Sequence, residues 1–148
     1  MAYAYGRSKF SAQGLVLTYE YFKEKGFEDE DIIIIIKHIP ARYVTDEDRN
    51  ILTFYKEIGV IHEAPSRIAG QELIRSDDDL FILTTAKRFQ ANILTNDRYR
   101  EFATNPEFSG VIKERIVQAN FIKDELILPQ DPLGPNGPNL NTFLRFPN

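Results

Sequence analysis

The chain has 148 residues, a formal net charge of −4, 43% hydrophobic residues and no cysteine. This length fits one domain of about 100–200 residues with enough apolar side chains for a core. Without cysteine, disulfides, cysteine-ligated zinc and thiol nucleophiles are excluded, and two histidines are too few for a histidine-rich metal site. No apolar run reaches the roughly 18 residues of a membrane span, so we expect a soluble, intracellular protein with no membrane partner.

The first predicted elements are a helix and a buried strand. An apolar stripe at Leu15, Tyr19 and Phe22 indicates a helix that opens near residue 10 and stops at Gly26. Isoleucine fills all five positions of 32–36. A continuous β-branched run favours a strand that is covered on both faces, which is typical of a parallel sheet.

A second helix and strand follow. Thr45 begins a capping segment for a helix that ends at Gly59, and a short strand is expected at 60–62. We interpret residues 64–70, which contain proline, serine and glycine, as a loop.

The second half continues the alternation of helices and strands. The acidic residues at 77–79 begin a helix, and a compact strand is expected at 91–94. Residues 112–122 and 125–128 have a β-rich pattern with a predicted hairpin turn between them. The segment 129–148 holds five of the eight prolines and is expected to be irregular and to lie on the surface.

The alternation predicts one α/β domain over residues 1–148. We expect a doubly wound, mostly parallel open sheet with helices on both faces, to which the C-terminal segment 129–148 is added. In such sheets the ligand site lies at the carboxyl ends of the strands.

Two acidic sets are predicted at that edge. Asp77, Asp78 and Asp79 stand at a helix N-terminus, Asp97 directly follows a strand, and Glu101 shares its face if the turn between them is helical. Converging carboxylates repel one another unless a cation lies among them. Oxygen ligands favour Mg²⁺, or Mn²⁺, and these cations also bind phosphate oxygens. The pattern therefore indicates metal-assisted hydrolysis of phosphodiesters.

Structural roles explain the same acidic residues equally well. Asp77, Asp78 and Asp79 could be ordinary helix caps, Asp97 could only turn the chain, and Glu101 alone is a surface residue. The expected shared sheet edge is what favours the functional interpretation.

Candidate phosphate contacts are more scattered. Lys37 and Arg42 follow the isoleucine strand, and Arg67 precedes the acidic triplet. All three could bind a nucleic-acid backbone or could simply be solvated charges. His62 is interpreted as a core or strand-end histidine rather than a general base.

Several strings are similar to one known family. They are Ala64-Pro65-Ser66-Arg67, Asp78-Asp79-x-Phe81-Ile82, Thr95-Asn96-Asp97-x-Tyr99-Arg100-Glu101 and the segment Asp131-Pro132-Leu133-Gly134 through Leu144. Together with Gly6-x-x-x-Phe10-Ser11-x-x-Gly14-Leu15, they resemble the NYN/PIN-like ribonuclease domain of the Regnase (MCPIP) family of CCCH zinc-finger proteins. The resemblance covers essentially the whole chain.

This resemblance implies a function and roles for particular residues. It implies a Mg²⁺-dependent endoribonuclease that cuts single-stranded and stem-loop regions of messenger RNA in the cytoplasm and promotes decay, with homodimerisation through the domain. Asp78 and Asp79 match the family's paired aspartates, Asp97 matches its strand-end aspartate, and Glu101 stands where the family usually has Asp. Arg67, with nearby basic residues, is expected to position the phosphate backbone.

Two departures from the family pattern leave an alternative open. The chain begins just after the place where the family has a strand ending in D-G-x-N, whose Asp is a metal ligand, and it lacks the cysteines of the zinc finger. The alternative is therefore a catalytically silent NYN domain that binds RNA or protein. A receiver-like signalling domain fits less well, because its acidic pair should follow the first strand.

Overall fold

The computed structural model describes residues 11–144 except 38, 66, 70–71 and 75–77. The chain forms two compact units. We call residues 2–76 with 121–126 the N-terminal unit, and residues 77–120 with 127–148 the C-terminal unit.

The N-terminal unit alternates helices with short strands. Its elements are α1 (Gln13–Glu24), β1 (Ile34–Ile36), α2 (Asp46–Glu57), β2 (Ile61–Glu63), β3 (Arg67–Ala69) and β4 (Glu72–Ile74), with 3₁₀ turns at Asp29–Asp31 and Ala41–Tyr43.

The C-terminal unit continues the same alternation. Its elements are α3 (Asp78–Phe89), β5 (Ile93–Thr95), a 3₁₀ turn (Arg100–Phe102), α4 (Ser109–Glu114), β6 (Ile116–Gln118) and α5 (Leu140–Leu144). β7 (Asn120–Ile122) pairs with β8 (Glu125–Ile127), and most residues of this pair belong to the N-terminal unit.

Each unit contains one pair of parallel strands. β1 pairs with β2, so that Ile34 lies opposite Ile61, and β5 pairs with β6, so that Ile93 lies opposite Ile116. In each case a helix lies between the two strands in the sequence, as a parallel connection requires. The mixed α/β class is confirmed, whereas a single doubly wound sheet stays a prediction.

The predicted ends of the first two helices are confirmed. Gly26 follows α1 with φ +96° and donates its N–H to the carbonyl of Lys23, which closes the helix in a conformation that favours glycine. Thr45 caps α2, because its Oγ1 accepts the N–H of Asp48 at 3.1 Å.

The loop expected at 64–70 is wrong in part. β3 pairs with β4 as an antiparallel hairpin, and Ala69 lies opposite Glu72. This register leaves a two-residue Gly-Gln link between the strands. A Gly-X pair between two strand-forming triplets is a known hairpin signal, which the proline and serine upstream obscure.

Two more expectations need correction near the C-terminus. Residues 112–114 belong to helix α4, where the side chain of Val111 is buried in the core. The segment 129–148 is not irregular throughout, because α5 forms at 140–144 and the side chains of Leu140 and Phe143 are buried. Asn139 caps this helix by accepting the N–H of Thr142 at 2.9 Å.

Each unit has its own apolar core. In the N-terminal unit, α1, α2 and β2 contribute a cluster of buried side chains: Leu15, Leu52, Tyr55 and Ile61. In the C-terminal unit the buried cluster joins α3, β5, α4 and β6: Leu83, Ala86, Ile93, Tyr99, Phe108, Val111 and Ile116.

The isoleucine run is less buried than its composition predicts. β1 covers only Ile34–Ile36, whose side chains are half-buried, and Ile33 is 40% exposed. A strand covered on both faces is therefore not what the described residues show.

Candidate functional site

The site begins at the carboxyl end of β5, where the last strand residue supports the turn that follows. Thr95 is 4% exposed, and its carbonyl accepts the N–H of Ala119 at 2.8 Å. Its Oγ1 accepts the N–H of Asp97 at 3.0 Å. A buried hydroxyl thus holds the backbone of the strand-end aspartate.

Asp97 is held by two further hydrogen bonds. Its Oδ1 accepts the N–H of Tyr99 at 2.8 Å, which forms an Asx turn, and its carbonyl accepts from Nε2 of Gln118 at 3.0 Å. One carboxylate oxygen of Asp97 therefore helps to fix the loop.

Tyr99 holds the next part of the loop in place. Its φ of +51° places a non-glycine residue in the left-handed region, and its side chain is only 3% exposed within the core of the C-terminal unit. Burial of the aromatic ring compensates the backbone cost of this conformation. The neighbouring side chains of Arg98 and Arg100 are exposed.

The loop forms one wall of an open pocket of about 500 Å³. The residues that line it are Asp79, Asn96, Asp97, Arg98, Tyr99, Arg100, Glu101 and Phe102. The structure thus brings three of the sequence-predicted carboxylates to one pocket. Asp77 and the side chain of Asp78 lie outside the residues that the structure describes.

Glu101 reaches the pocket by a different path from the one expected. The segment from Asp97 to Tyr99 is not helical, and the 3₁₀ turn begins only at Arg100. The rule that residues four apart share a helical face therefore does not apply here. Both carboxylates still line the pocket, because the left-handed Tyr99 reverses the chain between them.

The pocket suits a hard cation that retains much of its water. Its carboxylates and the Asn96 amide are oxygen donors of the kind that Mg²⁺ prefers. Within the described ranges, no three acidic or histidine side chains converge closely enough to hold a metal ion by themselves. This donor set fits Mg²⁺, which commonly binds through one or two carboxylates together with waters and substrate phosphates.

The basic residues predicted to contact phosphate all belong to the N-terminal unit. Lys37 and Arg42 are exposed, and the guanidinium of Arg42 lies 4.8 Å from the ring centroid of Tyr43. Arg67 is the first residue of β3, but its side chain lies outside what the structure describes. Their role in binding phosphate stays a prediction. His62 is exposed on β2 and is not a core residue.

Sequence reasoning missed two cations and an amide in the pocket: Arg98, Arg100 and Asn96. The signal was their position directly after the carboxyl end of a strand, interleaved with the candidate acids Asp97 and Glu101.

A family comparison agrees with this geometry. The sequence model of a known family, described as the Zc3h12a-like ribonuclease NYN domain, matches residues 1–142. The chain belongs to this family. The resemblance to the Regnase NYN domain is thereby confirmed, and membership of this ribonuclease NYN family indicates that RNA is the substrate and phosphodiester hydrolysis the reaction. In the part of the chain that the structure describes, no helix is long and apolar enough to cross a bilayer.

Proposed function

We propose that this ribonuclease NYN domain is a Mg²⁺-dependent endoribonuclease that cuts single-stranded and stem-loop regions of messenger RNA in the cytoplasm and so promotes decay. The observation that carries the proposal is the pocket at the end of β5, which Asp79, Asp97 and Glu101 line in a member of a ribonuclease family. A doubly wound, PIN-like sheet is the fold we expect around it.

Asp79, Asp97 and Glu101 are the residues that would hold Mg²⁺, with Asp78 as a fourth candidate. When bound, this cation lowers the pKa of an attacking water and offsets the negative charge that develops on the phosphate. Mn²⁺ has the same preference for oxygen ligands and should substitute for it.

The protein's own contribution is to position these groups before RNA arrives. Thr95, Tyr99 and Gln118 fix the backbone and one carboxylate oxygen of Asp97, which lines the pocket. Glu101 is exposed on the same pocket, where it would add a further carboxylate to the set that holds the cation. Such preorganisation lowers the barrier because little rearrangement is needed during the reaction.

A circular RNA that carries a stem-loop tests the proposal directly. Because a circle has no ends, only an endonuclease can linearise it, and the product is resolved from the substrate on a denaturing gel. We expect the full chain to linearise the circle in Mg²⁺ and in Mn²⁺, and to leave it intact in excess EDTA. Linearisation that persists in EDTA would overturn the metal-dependent mechanism.

A catalytically silent domain that binds RNA or another copy of this chain is the second candidate. It is favoured by the absence, among described residues, of three acidic side chains close enough to hold a metal. This candidate predicts that RNA or a second copy binds without turnover.

A further inference from the structure

We propose that Arg98 and Arg100 bind backbone phosphates of single-stranded RNA within the same pocket. The inference rests on the proposed function, since it names the groups that hold the substrate there. Both residues line the pocket beside Asp97 and Glu101. A guanidinium offers a planar set of donors that matches phosphate oxygens.

The negative charges of the pocket favour a role for these two arginines in binding RNA. Three carboxylates line it, and alone they would repel a polyanion. Arg98 and Arg100 bring positive charge to the same wall, where the exposed side chains can reach a ligand. Among the described residues, neither guanidinium forms an ion pair with a carboxylate.

The loop also fixes the backbone from which the two arginine side chains extend. Tyr99 lies between them, with its ring buried and its N–H donated to Asp97. Arg100 begins a 3₁₀ turn in which the N–H of Phe102 bonds the carbonyl of Tyr99 at 3.0 Å. The backbone at both arginines is therefore fixed, and only side-chain entropy is lost when phosphate binds.

Salt dependence of RNA binding tests the inference without any turnover. The full chain is titrated against a fluorescent single-stranded RNA in EDTA, and binding is followed by anisotropy at several salt concentrations. Each phosphate contact in a single strand contributes about 0.7 to the slope of log K against log salt. Arg98→Gln and Arg100→Gln should each weaken binding and reduce the slope by about this amount, equally for two unrelated sequences.

Two controls separate phosphate binding from a structural role. Arg98→Lys should restore most of the slope, because lysine also neutralises a phosphate. Arg88→Gln removes an exposed charge at the end of α3 that does not line the pocket, and it should leave the slope unchanged. An unchanged slope in both arginine variants, or a wild type that does not bind RNA, would overturn the inference.

Failure of the inference is distinguishable from failure of the proposed function. Arginine-dependent binding by a wild type that leaves circular RNA intact in Mg²⁺ would support the inference and reject the nuclease. Cleavage that depends on Mg²⁺, with slopes that do not respond to Arg98 or Arg100, would support the nuclease and reject the inference.

Discussion

In both parallel pairs a helix connects the two strands, but the two pairs differ in burial and in the residues that follow the first strand. In the C-terminal unit, Ile93, Thr95 and Val117 are all at most 6% exposed, and β5 leads into the pocket. In the N-terminal unit β1 is only half-buried, and the residue after it, Lys37, is exposed. The loop rich in functional groups thus follows the better-buried pair.

The difference lies in what holds each loop. After β5, the side chain of Thr95 and the carboxylate of Asp97 both accept backbone N–H groups within four residues. After β1, the carbonyl of Ile36 accepts the N–H of Ala64, which extends the strand pairing. A site whose geometry must be fixed requires a rigid scaffold beneath it.

The largest difference is expected from two isoleucine truncations, one within β5 and one directly before β1. Ile93→Ala removes a side chain that is 6% exposed, and we expect the free energy of unfolding to fall by about 2–5 kcal/mol. Ile33→Ala removes one that is 40% exposed, and we expect a loss of about 1 kcal/mol. Urea unfolding of the two variants measures both values, and equal losses would contradict the burial difference.

The order of elements was largely predictable from sequence, whereas their burial was not. Gly26 and Thr45 mark helix ends through local backbone chemistry, and the structure confirms both. The isoleucine run predicted a strand covered on both faces, but burial depends on which residues cover a strand, and that is not a local property. The shorter Ile-Leu-Thr strand at 93–95 is the better-buried one.

Two threonines, one in each unit, provide the next test. The hydroxyls of Thr95 and Thr45 each accept a backbone N–H, at 3.0 and 3.1 Å. Thr→Val at either site replaces this hydroxyl with a methyl group of similar size. Each variant should lose about 1 kcal/mol of stability in thermal unfolding. Only Thr95→Val should also slow RNA cleavage, because it loosens Asp97. Equal activity of the two variants would mean that this hydrogen bond does not position the site.

The smallest effect is expected from a charged cluster in the N-terminal unit. Tyr19 donates its hydroxyl hydrogen to Asp29 at 2.5 Å, and Nζ of Lys23 lies 3.2 Å from the same carboxylate. The hydrogen bond to Asp29 raises the pKa of Tyr19 from 10.0 to about 12. The same bond, together with Lys23, lowers the pKa of Asp29 below its usual 3.8.

These shifts set the sign of the pH dependence. The contribution of Tyr19 to the free energy of unfolding is complete below pH 10 and is lost as the pH rises through about 12. That of Asp29 is present above its usual pKa of 3.8 and is lost as the pH falls through its lowered value.

Tyr19→Phe should therefore flatten the stability profile at both extremes of pH while leaving RNA cleavage at neutral pH unchanged. Chemical unfolding over a pH series checks this, with Tyr43→Phe at an exposed tyrosine as the control. A profile as steep as that of the wild type would contradict the assignment.

The site was predictable in its acids but not in its cations. Asp79 and Asp97 lie at helix and strand ends that the sequence pattern can place, whereas Glu101 reaches the same pocket through a turn that the pattern did not predict. Arg98 and Arg100 carry one signal, their position directly after a strand, but the left-handed conformation of Tyr99 between them cannot be predicted from the residue type. That conformation arises from burial of the ring, which a single sequence does not reveal.

The central claim is that the carboxylates at the end of β5 act through a divalent cation, and a Mg²⁺ titration of stem-loop cleavage tests it most directly. Asp97→Asn keeps an Oδ1 that can accept the N–H of Tyr99 but removes the charge, whereas Asp46→Asn removes a charge from an almost fully exposed site on α2. We expect cleavage by the wild type and by Asp46→Asn to rise and saturate together with Mg²⁺, and Asp97→Asn to be slower by about 100-fold or more throughout. Cleavage without a divalent cation, or an Asp97→Asn curve that coincides with that of the wild type, would contradict the claim.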